Sequence, residues 1–500
     1  MWGDRVKLSE LLRGVTILDA PCGQDPEITA VCCDSRQVQP GALFVAMRGA
    51  KDDGHRYIGR ALESGAAAVV CRARPEGEGP FWVTDDPRLA MARIAGNWFG
   101  RPGDHLTLVA VTGTNGKTTT TSLIREMLQR TLHTRVGLIG TNRNLVGERE
   151  IPAQRTTPDS WQLHRLLRQM VDEGCTHAVM EVSSHALTQH RTAGLLFDVA
   201  VFTNLTQDHL DYHRTMQAYR AAKGMLFRQC RQAVVNLDDE AGRWYRGRVT
   251  CPVYTYSECR DCADLTARGI RLFPGHVEFE AVTREEIARI HLPIPGGFTI
   301  YNALAALAAG RCLGLELSAM AAALRCVQGV KGRIEVVSVP RAYTVIIDYA
   351  HTPNALENIL LTARSFTAGR LICLFGCGGE RDTGKRPVMG ALAQELADLV
   401  VVTSDNPRGE DPMQILSHIL SGMDVSRGKI HVEPDRAAAI GWALDQGRAG
   451  DVIVLAGKGH ETYQEIGGVR IPFDERDVVA RWFARQGRQE KTGNEPLAVV

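Results

Sequence analysis

The sequence predicts an α/β protein of three domains, with a central P-loop-type parallel sheet and a Rossmann-like C-terminal domain. Three observations lead there. The chain has 500 residues, and at about 150 residues per domain that length suggests three. Apolar, strand-like runs alternate with stretches of helical periodicity, the pattern of a mostly parallel sheet. In the last third, four apolar runs each end in a polar or glycine-rich loop. Punctuation at Gly100-Arg-Pro-Gly103 and near Lys331-Gly332-Arg333 divides the chain into residues 1–102, 103–331 and 332–500.

Residues 1–102 carry mixed signals. Gly41 to Met47 is an apolar run after a Pro-Gly turn, and residues 57–70 read as a helix leading into the strand Ala66 to Cys71. In the middle domain, Leu106 to Val111 reads as a buried parallel strand, and Ser122 to Gln129 as the start of a helix. The run Thr112-Gly-Thr-Asn-Gly-Lys-Thr-Thr-Thr120 lies between them. Glycines let backbone N–H groups turn inward around phosphate oxygens, and a helix N-terminus adds partial positive charge. Lys117 can reach the outer phosphates and the Thr118 hydroxyl can sit on Mg²⁺. Gly113, Thr114, Asn115, Gly116, Lys117, Thr118 and Thr119 are therefore candidate nucleotide-binding residues. Val111 stands where the usual phosphate-loop pattern has its first glycine.

Further along, Leu163, Leu166, Leu167, Met170 and Val171 fall at helical spacing. The run Ala178 to Met180 ends in Glu181, and Val199 to Phe202 ends in Thr203-Asn204. Ligands of such sheets bind beyond the carboxyl ends of the strands. A carboxylate at Glu181 can hold Mg²⁺ beside a triphosphate. Thr203 to His213 contains two Asp and two His; His209 is the second metal candidate, and His213 reads as a structural histidine. Lys223, taken by itself, reads as a solvated lysine on a helix. The four runs of the last third are Val345–Ile347, Leu371–Phe375, Leu399–Val402 and Val452–Leu455. No G-x-G-x-x-G follows the first of these, so no dinucleotide cofactor is expected. The tail from Arg485 to Glu495 is polar and is expected to be flexible.

Composition narrows the function classes. With 58 basic and 57 acidic residues, the chain lacks the net basic surface of a general nucleic-acid binder. The first 30 residues have no signal-peptide core, and no stretch is long enough to span a membrane, so a cytoplasmic protein is expected. Most of the 13 cysteines read as small buried hydrophobes kept reduced. Cys259-Arg-Asp-Cys262 has the spacing of half a zinc site, with no second pair following it.

Taken in order, these residues and further motifs resemble the Mur ligases over essentially the whole chain. The matching runs include Asp34-Ser-Arg36, Gly41 to Ala46, Thr112 to Thr120, Thr156-Thr-Pro158, Met180 to His185, Gln189-His-Arg191, Asn204 to His213 and Lys223. They continue through Tyr301-Asn302, Gly332-Arg333, Asp348 to Pro353, Gly376 to Pro387, Asp405 to Arg408 and Gly457 to Glu461. Cys33 and Arg155 stand where the family more often has an apolar residue and Asn.

The resemblance implies a domain for a UDP-sugar, one for ATP and one for an incoming amino acid. It implies ATP-dependent addition of meso-diaminopimelate to the D-Glu γ-carboxylate of UDP-N-acetylmuramoyl-L-Ala-D-Glu through an acyl phosphate, in peptidoglycan precursor synthesis. ATP and Mg²⁺ are the implied cofactors. The implied partners are these small-molecule substrates, for a monomer without nucleic-acid or membrane partners. Lys117, Lys223, Glu181 and His209 are implied as catalytic, with Thr118, Glu181 and His209 facing Mg²⁺ and Lys223 carbamylated to N6-carboxylysine. Asn302, Arg333 and Asp348 would serve the nucleotide. Ser35 would touch the uridine end, and Thr156, Thr157, Ser183, Gln189 and Arg191 would line the muramyl dipeptide. Arg381, Asp405, Asn406, Pro407, Arg408, Gly457 and Glu461 would bind diaminopimelate. Beside this reading stand a pure binding module, which leaves the Glu181, His209 and Lys223 set unexplained, and two further alternatives. One is the same ligase chemistry with L-lysine or another acceptor, as in folylpolyglutamate synthetases. The other is a P-loop regulator that spends ATP or GTP on shape change.

Overall fold

The computed structural model describes residues 5–49, 52–273 and 275–492. Its contacts divide the chain into two compact units. One runs to residue 264 and includes 305–316; the other holds 265–304 and everything from 317 onward.

The first unit contains a short antiparallel pair, Val6–Lys7 with Glu27–Ile28, and two larger sheets. Strands Ala30–Cys32, Ala42–Val45, Ala68–Cys71 and Phe81–Val83 pair in parallel in that order. Their side chains are almost all buried, as expected of apolar runs in a sheet covered on both faces. The helix Pro87–Trp98 follows, capped by Asp86, which accepts from the backbone N–H groups of Arg88 and Leu89.

The larger sheet has the parallel order Val136–Ile139, His177–Glu181, Thr107–Thr112, Phe197–Phe202, Cys230–Asn236, Val253–Ser257. The strand that feeds the phosphate loop is therefore central, flanked by the strands that end in Glu181 and in Thr203-Asn204. Each crossover is helical. In the helix Ser160–Asp172, Leu163, Leu166, Leu167 and Met170 of the stripe read from the sequence are buried, Val171 is only partly so, and Asp159 caps the start. The helix after the phosphate loop begins at Lys117, five residues before Ser122. Four consecutive threonines, which are poor helix formers, hide its first turn in the sequence.

The second unit has an antiparallel meander, Leu265–Leu272, Val277–Val282 and Ile287–Leu292. It also has a six-stranded sheet. Thr344–Asp348, Val452–Ala456, Leu371–Phe375, Leu399–Val402 and Ile430–Val432 run parallel in that spatial order, and Glu335–Val337 lies antiparallel at the edge. The four expected strands are present. The two added ones have three residues each, too short to carry periodicity. The helix Glu475–Thr492 takes up the expected flexible tail as far as residue 492; its last three residues lie outside the described residues. Among the described residues no helix is long and apolar enough to cross a membrane. Only six of the 13 cysteines are buried; Cys22, Cys33, Cys259, Cys262 and Cys326 are exposed on loops and turns.

Candidate active site

The phosphate loop turns between the strand Thr107–Thr112 and the helix Lys117–Leu132. Gly113 has φ 154°, and a Cβ there would lie 1.9 Å from Thr203 Oγ1, so only glycine fits. Gly116, at φ 83°, opens the helix. The neighbouring strand end pins the loop. Thr114 N donates to Asn204 O at 2.8 Å, and Thr203 Oγ1 donates to Asn115 O at 2.6 Å. Asn115 N donates to Asn204 Oδ1 at 2.9 Å. These anchors hold the loop without a glycine at Val111. Thr118 and Thr119 are buried in the first helical turn.

Two lysines converge on this loop. Lys117 Nζ donates to Gly113 O at 2.9 Å and to Thr114 O at 2.8 Å. Lys223, on the helix Met216–Gly224, donates to the same Gly113 oxygen at 2.8 Å. Its ammonium sits 4.5 Å from the Tyr219 ring centroid. The residues around Lys223 suggested a solvated lysine; the structure corrects this, since the side chain is 1% exposed. Burial, reinforced by the Lys117 charge, holds its pKa well below the usual lysine range, against a weaker pull from Asp208.

Glu181 ends its strand 1% exposed. Its Oε2 accepts from Thr118 Oγ1 at 3.1 Å and from Thr141 Oγ1 at 2.9 Å, and its Oε1 accepts from Thr141 N at 2.8 Å. Thr118 and Glu181, two of the three metal candidates, are in direct contact. Thr141 was missed in the sequence, although Gly140-Thr141 follows a strand end like the others. His209 sits beside Asp208, with Nε2 3.4 Å from the carboxylate. Burial lowers its pKa, Asp208 opposes, and the charges of Lys117 and Lys223 add to the lowering. His209 thus lies in the field of both lysines. His213 is structural, with Nε2 2.8 Å from Ser184 Oγ.

The residues expected at the muramyl dipeptide form one net tied to Glu181. Thr157 Oγ1 donates to Glu181 O at 2.9 Å and accepts from Ser183 N at 3.0 Å. Arg191 donates to Thr157 O and to Gln189 Oε1, both at 2.7 Å. Thr156 Oγ1 lies 3.1 Å from Thr141 Oγ1. Ser35 is buried in its own turn, Ser35–Gln37, where Asp34 caps and pairs with Arg36.

The second unit carries the remaining candidates. Asn302 is buried on the helix Gly297–Cys312. Asp348 accepts from Ile334 N at 2.8 Å; burial raises its pKa, and the Arg333 charge opposes that. The Arg333 guanidinium lies 4.9 Å from the Tyr349 ring centroid. Beyond the strand Leu399–Val402, Asp405 and Asn406 are buried around Lys458, which is 0% exposed. Lys458 Nζ donates to Asn406 Oδ1 and Glu461 Oε2, both at 2.9 Å, and lies 3.5 Å from Asp405 Oδ1. Asn406 Nδ2 also donates to Glu461 Oε2, at 2.8 Å. Gly457 has φ 117°, and a Cβ there would lie 3.5 Å from Asp405 Oδ2. Pro407 O is so close to Gly379 that a Cβ there would lie 1.9 Å away. Arg408 Nη1 donates to Gly379 O at 2.7 Å, and Arg381 lies along the same glycine loop. Arg408, expected at the diaminopimelate, is partly buried and stands 3.8 Å from Glu465 Oε2. Lys458 was missed as a hub because its partners lie up to 53 residues away in sequence.

A glycine-rich loop at the centre of a parallel sheet, with converging lysines and a buried carboxylate at the next strand end, defines a phosphate-binding α/β protein. Family profiles agree and go further. Residues 27–96 match the Mur ligase family, catalytic domain; 111–310 match the Mur ligase middle domain; and 332–459 match the Mur ligase, glutamate ligase domain. The chain belongs to the Mur ligase family. It is similar to the UDP-N-acetylmuramoyl-L-alanyl-D-glutamate–2,6-diaminopimelate ligase of Geobacillus kaustophilus, 46% identical over 93% of this chain and 96% of that one. The protein of the same name from Clostridioides difficile is 41% identical, over 95% and 99%. A solved structure bearing that name is 34% identical with a TM-score of 0.71, covering 97% of this chain and 99% of that one.

Proposed function

We propose that this chain is an ATP-dependent ligase that joins meso-2,6-diaminopimelate to the D-Glu γ-carboxylate of UDP-N-acetylmuramoyl-L-Ala-D-Glu. Full-length similarity to relatives of that name supports the substrate. The observation that carries the chemistry is the convergence of Lys117 and Lys223 on the phosphate loop beside the Glu181–Thr118 contact. Residues 1–102 receive the UDP-sugar, 103–331 the ATP and 332–500 the amino acid. The protein works on these small molecules as a cytoplasmic monomer.

The reaction needs two polyanions brought together. The γ-carboxylate attacks the terminal phosphorus of ATP, ADP leaves, the amine attacks the acyl phosphate, and phosphate departs as the amide forms. Loop N–H groups and Lys117 offset the charge that builds on the transferring phosphoryl group. Mg²⁺, when bound, neutralises phosphate charge and polarises the P–O bond. Thr118 and Glu181 would hold it, since oxygen donors suit that ion. His209 offers nitrogen, which Mg²⁺ takes less readily, so the oxygens carry the fit.

Lys223 is set up for carbamylation. Its depressed pKa favours the neutral amine, which adds CO₂ to give a carbamate and one released proton. The new anion would then share the metal's environment with Glu181. Arg191, Gln189, Thr156, Thr157 and Ser183 orient the dipeptide, and Ser35 the uridine. Asn302, Arg333 and Asp348 hold the nucleotide. In the last domain, Arg408 and Arg381 supply cations for substrate carboxylates. Asp405, Asn406, Pro407, Gly457 and Glu461 shape the pocket beside them.

The deciding experiment is ADP release with UDP-N-acetylmuramoyl-L-Ala-D-Glu and a panel of diamino acids. Release is expected only with the muramyl dipeptide and meso-diaminopimelate together. ADP release without the muramyl substrate would favour a nucleotide-driven regulator, and equal rates with L-lysine would reassign the amino acid.

A further inference from the structure

The meander of the second unit carries a chemical cluster that the ligase reaction leaves unused. His276 immediately precedes the strand Val277–Val282 and Glu278 lies on it, two residues further, so their side chains leave the same sheet face. In the antiparallel register His291, on Ile287–Leu292, is the direct partner of Glu278. Directly opposed residues share a face, so His291 joins the other two. The buried partners Val277, Phe279, Ile290 and Leu292 occupy the opposite face and hold the register in place.

The donor atoms meet. Glu278 Oε1 lies 3.3 Å from His291 Nδ1 and 3.9 Å from His276 Nε2. All three ligand atoms fall within 4.8 Å of one another. An ion with bonds of about 2.0–2.1 Å in tetrahedral geometry sets its ligands roughly 3.4 Å apart. The His291–Glu278 spacing already matches that, and His276 Nε2 stands 3.9 Å from the same carboxylate oxygen. Stacking on Phe273, with centroids 4.3 Å apart at 12°, holds the His276 ring in a fixed plane. The side chains are 30%, 30% and 32% exposed, so an ion can enter from solvent and keep water in its remaining position. Arg271, opposite Glu278 on the third strand, is exposed and can turn to water when a dication takes the carboxylate.

We propose that His276, Glu278 and His291 form a binding site for a divalent transition-metal ion, with Zn²⁺ the best match to two imidazoles and one carboxylate. Three protein ligands leave one coordination position for water. The ion clips two neighbouring strands at a point where the chain has just turned. This inference is independent of the ligase reading, since it needs no ATP, muramyl substrate or diamino acid.

The test is Zn²⁺ titration by calorimetry on the full chain. Exposed thiols compete for zinc, so the background is Cys259→Ser/Cys262→Ser. His276→Asn, Glu278→Gln and His291→Asn are compared with that parent, and circular dichroism checks that each remains folded. The parent should bind one equivalent more than any of the three, or bind it at least about tenfold more tightly. Co²⁺ gives a second readout: its tetrahedral visible bands should appear in the parent and disappear in His291→Asn. Equal stoichiometry and affinity in parent and variants would overturn the site, as would Co²⁺ bands unchanged by His291→Asn. Failure of the parent to bind Zn²⁺ would overturn it as well.

Discussion

Lys117 and Lys223 donate to one and the same oxygen, the Gly113 carbonyl, at 2.9 and 2.8 Å. Two cationic side chains sharing one acceptor repel each other, and only Lys223 is fully enclosed. The enclosed amine therefore gives up its charge more easily. Lys223→Ala is expected to lose nearly all ligase activity and to regain part of it with added short carboxylates. A carboxylate entering the gap restores the anion a carbamate would supply. Full activity without additive would reduce Lys223 to a packing residue.

Lys117 is expected to behave differently. In the proposed reaction it meets phosphate charge that grows in the transition state, and no added anion replaces a cation. Lys117→Ala should retain its fold, by circular dichroism, and lose at least about 100-fold in turnover. Steady-state kinetics within tenfold of wild type would rule out that role.

Choice of amino acid is expected to depend on Arg408. Meso-diaminopimelate resembles lysine with one more carboxylate at its far end, and a guanidinium can accept that group with two hydrogen bonds. Lysine would instead set an ammonium against Arg408. Wild-type kcat/KM should favour diaminopimelate by a factor on the order of 10⁴, and Arg408→Ala should erase most of that preference. An unchanged ratio in the variant would move selectivity to another residue, with Arg381 the first to examine.

Acid stability should report on His164, on the helix Ser160–Asp172. It is 3% exposed, and neither ring nitrogen has a hydrogen-bond partner. Burial lowers its pKa from 6.5 to about 4. The unfolded chain takes up a proton near pH 6.5 while the folded one does not until about pH 4. Stability from this group is thus complete above pH 6.5 and is lost as pH falls toward 4, by about 3 kcal/mol in total. His164→Leu should flatten the fall of unfolding temperature over that window. An identical pH profile in the variant would mean that the ring is hydrated in the folded state.

The strands and the phosphate loop were legible because each is a local pattern: an apolar run, then glycines, then Lys-Thr. The Glu181 and Asn204 positions were legible for the same reason, as polar residues closing apolar runs. What the residues around Lys223 could not reveal was its burial. Tyr219-Arg-Ala-Ala-Lys223 reads like any surface helix, and its neighbour Gly113 lies 110 residues earlier. Only the family resemblance pointed to that lysine. The meander from 265 to 292 was not anticipated, and with it the pairing of Glu278 with His291. Cross-strand partners are set by register, which the sequence shows only where a short turn announces it. The early start of the helix at Lys117 was masked by its threonines, whose intrinsic preference the loop geometry overrides.

The Lys458 cluster bears on how new specificities could arise in this chain. One enclosed ammonium ties Asp405, Asn406 and Glu461 together, so two separate loops behave as a single riveted plate. Removing that rivet would strand two carboxylates at once, and a gradual change of substrate cannot pass through such a step. Arg408 and Arg381 stand at the rim, outside the rivet, where Arg408 is held by the Gly379 carbonyl and faces Glu465. A change of amino-acid preference is therefore expected to begin at that rim, with the plate beneath it unchanged.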